Sequence, residues 1–87
     1  MKIRIETHAL ERAVERGATP QEIEEVVRTG QLTAAKFGRL AKSKVYEFDA
    51  LWKGRFFEQK RVEVIYAVER GVIIVVTVYV FYGRWTG

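Results

Sequence analysis

The sequence contains no cysteine, no asparagine and a single histidine, His8. Without cysteine, neither a disulfide nor a thiolate metal site can stabilise the fold. With one histidine, a zinc or iron site would need carboxylates for almost all of its ligands, so we expect no metal and no other cofactor. Methionine is also confined to Met1, and this scarcity of thermolabile residues is typical of proteins from thermophiles.

The sequence also lacks a hydrophobic run long enough to cross a bilayer as a helix. Its longest apolar stretch, Val72–Phe81, is interrupted by Thr77 and is too short. Charges at Lys2, Arg4 and Glu6 break up the N-terminal segment, which therefore does not resemble a signal peptide. We expect a soluble, cytoplasmic protein with no membrane partner.

The 87 residues are 48% apolar and 13% aromatic, which is enough for one folded domain over residues 1–87. The net charge of +4 is concentrated in residues 36–61, where eight basic residues stand against three acidic ones. Residues 1–35 carry five basic and six acidic side chains, and the remainder is neutral. This distribution predicts a local positive surface rather than a diffuse charge.

The first 30 residues predict one strand and two helices. Lys2–Ile5 alternates between polar and apolar residues, which indicates a strand. Thr7–Arg16 has helical periodicity, and Gly17 is a suitable residue to end the helix. The apolar face of this helix is expected to consist of Leu10, Ala13, Val14 and Gly17.

The second helix has the clearest local signals. Thr19 supplies an N-cap hydroxyl, Pro20 suits the first helical position, and Glu22 completes a capping box. Gly30 is expected to end the helix. Its apolar stripe consists of Ile23, Val26 and Val27.

Beyond Gly30 the sequence has the alternation of β-strands. Lys44–Phe48, Arg61–Val68 and Val72–Phe81 indicate strands, and residues 52–55 indicate a turn. The predicted fold is therefore α+β, with two N-terminal helices packed on a small antiparallel sheet.

The loop between the last two strands fixes their expected register. A three-residue loop at residues 69–71 keeps one sheet face wholly apolar, whereas a two-residue loop would place aliphatic residues against Thr77 and Tyr79. We therefore expect three residues. The expected pairs are Val62 with Val78, Val64 with Val76, Tyr66 with Ile74 and Val68 with Val72, and on the other face Glu63 with Thr77 and Arg61 with Tyr79. That polar cluster is either the floor of a site or, as the alternation favours, a solvated sheet face.

His8, Arg12 and Arg16 recur at every fourth residue and form one stripe along the first helix. An imidazole that exchanges protons near neutral pH, beside two guanidinium groups, suits metal-free cleavage of RNA by its own 2′-hydroxyl. A solvated helix face with weak ion pairs has the same pattern, and spacing alone favours that second interpretation.

The basic segment mixes its charges with aromatic residues, which is typical of surfaces that bind single-stranded RNA. The candidate RNA contacts are Lys36, Arg39, Lys42, Lys44, Lys53, Arg55 and Lys60. On charge and aromatic content alone, nucleic-acid binding stays open, and a basic membrane-surface helix is the weaker alternative because the segment has no helical apolar stripe. Tyr46 and Phe48 share a strand face and are expected in the core. The aromatic tail Phe81–Trp85 has three open roles: covering a sheet edge, self-association, or stacking on a base.

Four segments carry a resemblance to a known family. They read HALERAVERG at residues 8–17, TPQEI at 19–23, KRVEV at 60–64 and VTVY at 76–79. With these segments the chain resembles the domain-of-unknown-function family 4258, which is similar to the RelE-like and BrnT-like toxins that cleave RNA without a metal. The resemblance implies a fold of the RelE-like toxin type, with RNA as a partner, free or on the ribosome, and an antitoxin protein as a second partner.

The resemblance also implies site residues. It matches His8, Arg12 and Arg16 to the helix motif of the family, and Thr77 and Tyr79 to its last strand. Arg61 is added as a phosphate contact by the expected register of the sheet.

Three hypotheses follow for function. In the first, the chain is a toxin-type endoribonuclease with His8 as general acid or base. The arginines would then bind the phosphate, and Thr77 and Tyr79 would orient it. In the second, the chain is a non-catalytic domain that binds RNA or protein through residues 36–61. In the third, it dimerises through its last strand and aromatic tail.

Overall fold

The helical spacing of the apolar residues ends near residue 30, and the structure changes there from helices to strands. The computed structural model describes residues 1–85, without the side chains of residues 34 and 35. In chain order its elements are β1 (Lys2–Ile5), α1 (Thr7–Arg16), α2 (Pro20–Thr29), β2 (Gln31–Lys36), β3 (Arg39–Trp52), β4 (Arg55–Glu69) and β5 (Val72–Gly83). The strands form one sheet in the order β1-β5-β4-β3-β2, with β1 parallel to β5 and the other neighbours antiparallel. The α+β prediction, two N-terminal helices on an antiparallel sheet, is confirmed.

The predicted helix ends are also confirmed. The Thr19 hydroxyl accepts a hydrogen bond from the Glu22 backbone N–H at 3.1 Å, and the Glu22 carboxylate accepts one from the Thr19 N–H at 3.0 Å. This reciprocal capping box satisfies two backbone donors that the first helical turn leaves without partners. α1 ends at Gly17, whose φ of 93° lies in the left-handed region.

The core lies between the two helices and one face of the sheet, which we call the helix side. Its buried apolar residues are Ala9, Ala13, Ala18, Ile23, Val26, Val27, Val62, Val64, Tyr66, Val75 and Val78. The expected apolar face of α1 is partly wrong, because Val14 is 63% exposed and Leu10 is only half-buried. Ala13 is buried as expected, and Ala9, which was not predicted, is buried beside it; these small side chains let the helix lie close to β5.

The expected register of β4 and β5 is wrong, and the reason is one extra residue in β5. The strands are joined by a two-residue turn, Arg70 and Gly71, with φ of 52° and 77°. The register then shifts at Val76, which has no partner on β4. The resulting pairs include Val64 with Val78, Val62 with Val80, Ile65 with Thr77, Glu63 with Tyr79 and Arg61 with Phe81. The bulge keeps the helix side apolar in spite of the short turn.

No helix within residues 1–85 has the length and apolar character to cross a membrane.

Gly17 generates a stability prediction, because a side chain there meets two obstacles. A Cβ at Gly17 would need a left-handed backbone and would collide with the Tyr82 hydroxyl, with the Trp52 ring 3.1 Å away. Gly54 has a similar φ of 80°, but nothing lies within 4 Å of its Cβ position. We expect Gly54→Ala to cost about 1–2 kcal/mol of unfolding free energy. Gly17→Ala should cost about 1–3 kcal/mol more, as overpacking does.

Urea denaturation of both variants and the parent chain measures this difference. Equal losses for Gly17→Ala and Gly54→Ala would show that the contact with Tyr82 and Trp52 carries no energy.

Candidate functional site

The face of the sheet opposite the helices presents exposed aromatic rings along β5. Alternation directs Val78 and Val80 to the helix side and Thr77, Tyr79 and Phe81 to the opposite side, which we call the open face. Tyr79 is 42% exposed and Phe81 is 44% exposed. Their ring centroids lie 6.4 Å apart with an angle of 29° between the planes. Two large rings therefore lie side by side on a surface that neither α1 nor α2 covers.

Each of these rings has an arginine against it. The guanidinium carbon of Arg16 lies 5.1 Å from the centroid of Tyr79, and that of Arg61 lies 5.4 Å from the centroid of Phe81. Both distances are within the range of cation–π contacts. On the open face, the two rings of Tyr79 and Phe81 therefore lie between two guanidinium groups.

Arg16 reaches the open face by crossing the free edge of β5. β1 pairs with β5 only over Val72–Val75, so within residues 1–85 the edge beyond Val75 has no neighbouring strand. The Arg16 guanidinium donates a hydrogen bond of 2.7 Å to the Val78 carbonyl on that edge. A helix residue therefore joins the two faces, because the first strand stops at Ile5.

Trp85 extends the row of rings beyond the end of β5. Its backbone N–H donates to the Gln59 side-chain oxygen at 2.7 Å. Its ring lies over Gly83, 3.5 Å from where a Cβ would be. We call the three rings of Tyr79, Phe81 and Trp85 the ring row. The sequence analysis left the role of this tail open. The signal that could have placed its rings on one face is their even spacing, because residues two or four positions apart along an extended chain point to the same side.

Arg61 has one terminal nitrogen in an ion pair and one buried nitrogen without a partner among residues 1–85. One of its terminal nitrogens forms an ion pair of 3.3 Å with Glu63. Its Nε is buried and has no hydrogen-bond partner among residues 1–85. Such an unsatisfied donor costs free energy unless a ligand or water supplies an acceptor.

A cavity of about 280 Å³ opens beside the ring row at the β2–β3 turn. Ile65 and Thr77 form part of its wall, and Tyr79 belongs both to it and to the ring row. Lys36 and Arg39 supply its positive charge, two of the residues expected to bind RNA.

The predicted catalytic residues divide into two groups. Arg16, Thr77, Tyr79 and Arg61 lie on or beside the open face. Arg12 lies on the outer side of α1 and pairs with Glu15 at 3.4 Å. His8 is exposed and forms no hydrogen bond or ion pair with any other described residue.

Three lysines of the basic segment lie on the helix side and hold the helices on the sheet. Lys42 donates to the Val27 carbonyl at 2.9 Å, and Lys44 donates to the Thr29 hydroxyl at 3.0 Å. Lys60, which is buried, donates to the Gly17 carbonyl at 2.8 Å. Two of these contacts satisfy carbonyl groups in the last turn of α2 and just beyond α1, and the third satisfies the Thr29 hydroxyl, so all three charges have partners within the fold.

The remaining contacts of these lysines involve carboxylates and a tyrosine. Lys60 also pairs with Glu22 at 3.0 Å, and Lys44 lies 3.7 Å from the Glu25 carboxylate. Burial and a hydrogen bond of 2.6 Å to Glu25 raise the pKa of Tyr46. That hydrogen bond and the nearby Lys44 charge lower the pKa of Glu25.

Lys53 and Arg55 lie at the β3–β4 turn, away from the cavity residues at the β2–β3 turn. The Lys53 Nζ lies 5.7 Å from the centroid of the Trp52 ring, and the Arg55 Cζ lies 5.5 Å from the centroid of the Phe57 ring. The basic residues of segment 36–61 therefore form no single surface, and their role as RNA contacts stays a prediction.

No three histidine, cysteine, aspartate or glutamate side chains within residues 1–85 lie close enough to hold a metal ion.

Comparison with known proteins gives a family and no activity. A family model described as Domain of unknown function (DUF4258) matches residues 5–80. No curated protein and no solved structure matches the chain. The resemblance to this family is confirmed, whereas the likeness to RelE-like and BrnT-like toxins stays a prediction.

The different positions of the lysines generate a second stability prediction. Lys60→Met keeps the side-chain stem and removes the bonds to Gly17 and Glu22, so we expect a loss of about 2–3 kcal/mol. Lys53→Met removes an exposed charge and should change stability by less than about 0.5 kcal/mol. Chemical denaturation of the two variants tests this. A Lys60→Met protein as stable as the parent would remove the structural explanation for this charge.

Proposed function

The chain belongs to the DUF4258 family, and we propose that it binds single-stranded RNA across the ring row on the open face of its sheet. One observation carries the proposal: two exposed rings lie 6.4 Å apart, each with an arginine against it. Proteins bind single strands by stacking bases on aromatic side chains while cations contact the phosphates. Both components occur here side by side.

The charges and exposure of the open face support this proposal. Arg16 and Arg61, which contact the two rings, would meet phosphate oxygens beside a base that stacks on Tyr79 or Phe81. The bases of a duplex are already stacked on one another, so the exposed rings favour an unpaired strand.

RNA is preferred to DNA because of the proposed similarity to RNA-cleaving toxins. Single-stranded DNA of the same sequence is the comparison that tests this preference. The 2′-hydroxyl is the group by which a protein distinguishes the two at a given site.

A second candidate function, metal-independent cleavage of the bound strand, is favoured by the position of Arg16. This residue belongs both to the stripe of α1 and to the ring row, so the stripe begins where RNA would lie. In the reaction, the 2′-oxygen attacks the adjacent phosphorus and the bond from phosphorus to the 5′-oxygen breaks. The products are a 2′,3′-cyclic phosphate and a 5′-hydroxyl.

The residues would divide the work of this reaction as follows. His8 would accept the proton of the 2′-hydroxyl or donate one to the leaving 5′-oxygen. Arg12, Arg16 and Arg61 would neutralise the phosphate, and Thr77 and Tyr79 would orient it. His8 precedes Arg16 by about 12 Å along the helix axis, so the strand would have to continue from the ring row over α1. If the chain has this second function, we expect it to act on RNA that is free or on the ribosome, and to be bound by an antitoxin protein.

The binding proposal predicts a specific effect of the rings. Phe81→Ala should weaken binding of an unstructured RNA 12-mer about 10- to 100-fold, because it removes one stacking partner. Fluorescence anisotropy at several salt concentrations measures this affinity. Arg61→Gln should weaken binding and also reduce its salt dependence, since one phosphate contact is lost.

Phe56→Ala is the matched control for this experiment. Phe56 is 57% exposed but lies beside the β3–β4 turn, outside the ring row. Equal losses of affinity for Phe81→Ala and Phe56→Ala would contradict the assignment of the site. Absence of RNA binding by the parent chain would end the proposal.

The cleavage proposal predicts loss of product without loss of binding. In the presence of a chelator, the parent chain should convert single-stranded RNA to fragments that end in 2′,3′-cyclic phosphate. His8→Ala should reduce the rate at least about 100-fold, the usual contribution of a general acid or base, while anisotropy shows unchanged affinity. Thr7→Ala is the neighbouring control on α1. Intact RNA with the parent chain, alone and with ribosomes, would leave binding as the function.

A further inference from the structure

The cavity at the β2–β3 turn combines an apolar wall with two unpaired cations. Ile65 and Ala41 contribute apolar surface, and Tyr79 contributes an aromatic ring. Lys36 and Arg39 are exposed and form no ion pair with any carboxylate among residues 1–85. This differs from the buried Lys60, whose charge is neutralised within the fold.

Phe37 adds a second ring at the mouth of this cavity. It stands at the tip of the turn between β2 and β3, with a φ of 54°, and is 97% exposed. An apolar ring gains nothing from complete exposure, and a non-glycine residue in the left-handed region adds backbone strain. A flat ligand in the cavity would contact Phe37 and Tyr79 and recover part of that cost.

We infer that this cavity binds one nucleotide, with the base against its apolar wall and rings and the phosphate at Lys36 and Arg39. The inference rests on the proposed function, because Tyr79 belongs both to the cavity wall and to the ring row. The volume of about 280 Å³ is at the lower end for ligand pockets, so it suits one nucleotide and not several. The ligand is a nucleoside phosphate, either the phosphorylated end of an RNA strand or a free nucleotide.

Each component of the cavity favours a nucleotide over a simpler ligand. An apolar side chain from a protein would make no use of the exposed cations Lys36 and Arg39. Inorganic phosphate would satisfy these cations but would leave the rings of Phe37 and Tyr79 uncovered. A nucleotide satisfies both, because it carries a π-face and an anion in one molecule.

Isothermal titration of the full chain with adenosine 5′-monophosphate tests the inference. The nucleotide should bind at least about 10-fold more tightly than either adenosine or inorganic phosphate alone. The double variant Lys36→Ala with Arg39→Ala should lose at least about 10-fold in affinity for the nucleotide. The control Lys2→Ala removes an exposed cation on β1, outside the cavity lining, and should bind the nucleotide as the parent does. Binding of the nucleotide no tighter than phosphate, or unchanged in the double variant, would overturn the inference.

A second set of ligands identifies the source of the nucleotide and separates this inference from the proposed function. RNA 12-mers with a 5′-phosphate, a 3′-phosphate or two hydroxyl ends are compared on the parent chain and the double variant. A preference for one phosphorylated end that the double variant loses identifies a strand end. Equal affinities together with nucleotide binding identify a free nucleotide. If the hydroxyl-ended 12-mer binds and the mononucleotide does not, the cavity assignment alone fails. If only the mononucleotide binds, the ring-row proposal fails and the cavity assignment stands.

Discussion

One unpaired residue in β5, Val76, determines which side chains reach each face of the sheet. The two-residue turn before β5 would by itself set Thr77 and Tyr79 against the helices. The extra residue shifts the alternation, so Val78 takes a place in the core and Tyr79 turns outward. An apolar core and an exposed ring row are therefore two results of the same bulge. Bulges that redirect side chains in this manner are common beside functional sites.

The free edge of β5 gives Arg16 two roles that depend on each other. By binding the Val78 carbonyl, its guanidinium satisfies a backbone group on an unpaired edge. The same charge occupies a position where another strand would otherwise pair, which is one means by which proteins protect open edges. Its contact with Tyr79 then brings a cation from the helix layer to the open face. The length of β1 controls both roles, since pairing beyond Val75 would leave no edge for Arg16.

The count of charges in residues 36–61 predicted a positive segment but not the sheet face on which each basic residue lies. Net charge places eight basic residues within positions 36–61, but alternation along β3 and β4 sends Lys42, Lys44 and Lys60 to the helix side. There they bind helix carbonyls and the hydroxyl of Thr29, as long cationic side chains can when their stems pack on apolar surface. Composition cannot distinguish a lysine that holds a helix from one that faces a ligand. The difference depends on the register of each strand.

Local signals in the sequence determined the elements and their ends. Thr19, Pro20 and Glu22 start α2 through contacts within four residues, and Gly17 ends α1 because its φ requires no Cβ. Family membership follows from sequence as well, since the family model covers residues 5–80. The apolar stripe of α2 was likewise predictable from helical spacing.

Only the tertiary structure decided the register of β4 and β5, the outward position of Val14 and the assembly of the ring row. A bulge leaves no local mark in a run of β-branched residues, because Val76 resembles the four apolar β-branched residues that precede it. The contact of Arg16 with Tyr79 joins residues 63 positions apart and requires an edge that β1 leaves open. Sequence therefore specified the parts through short-range chemistry, and long-range pairing decided which of them face one another.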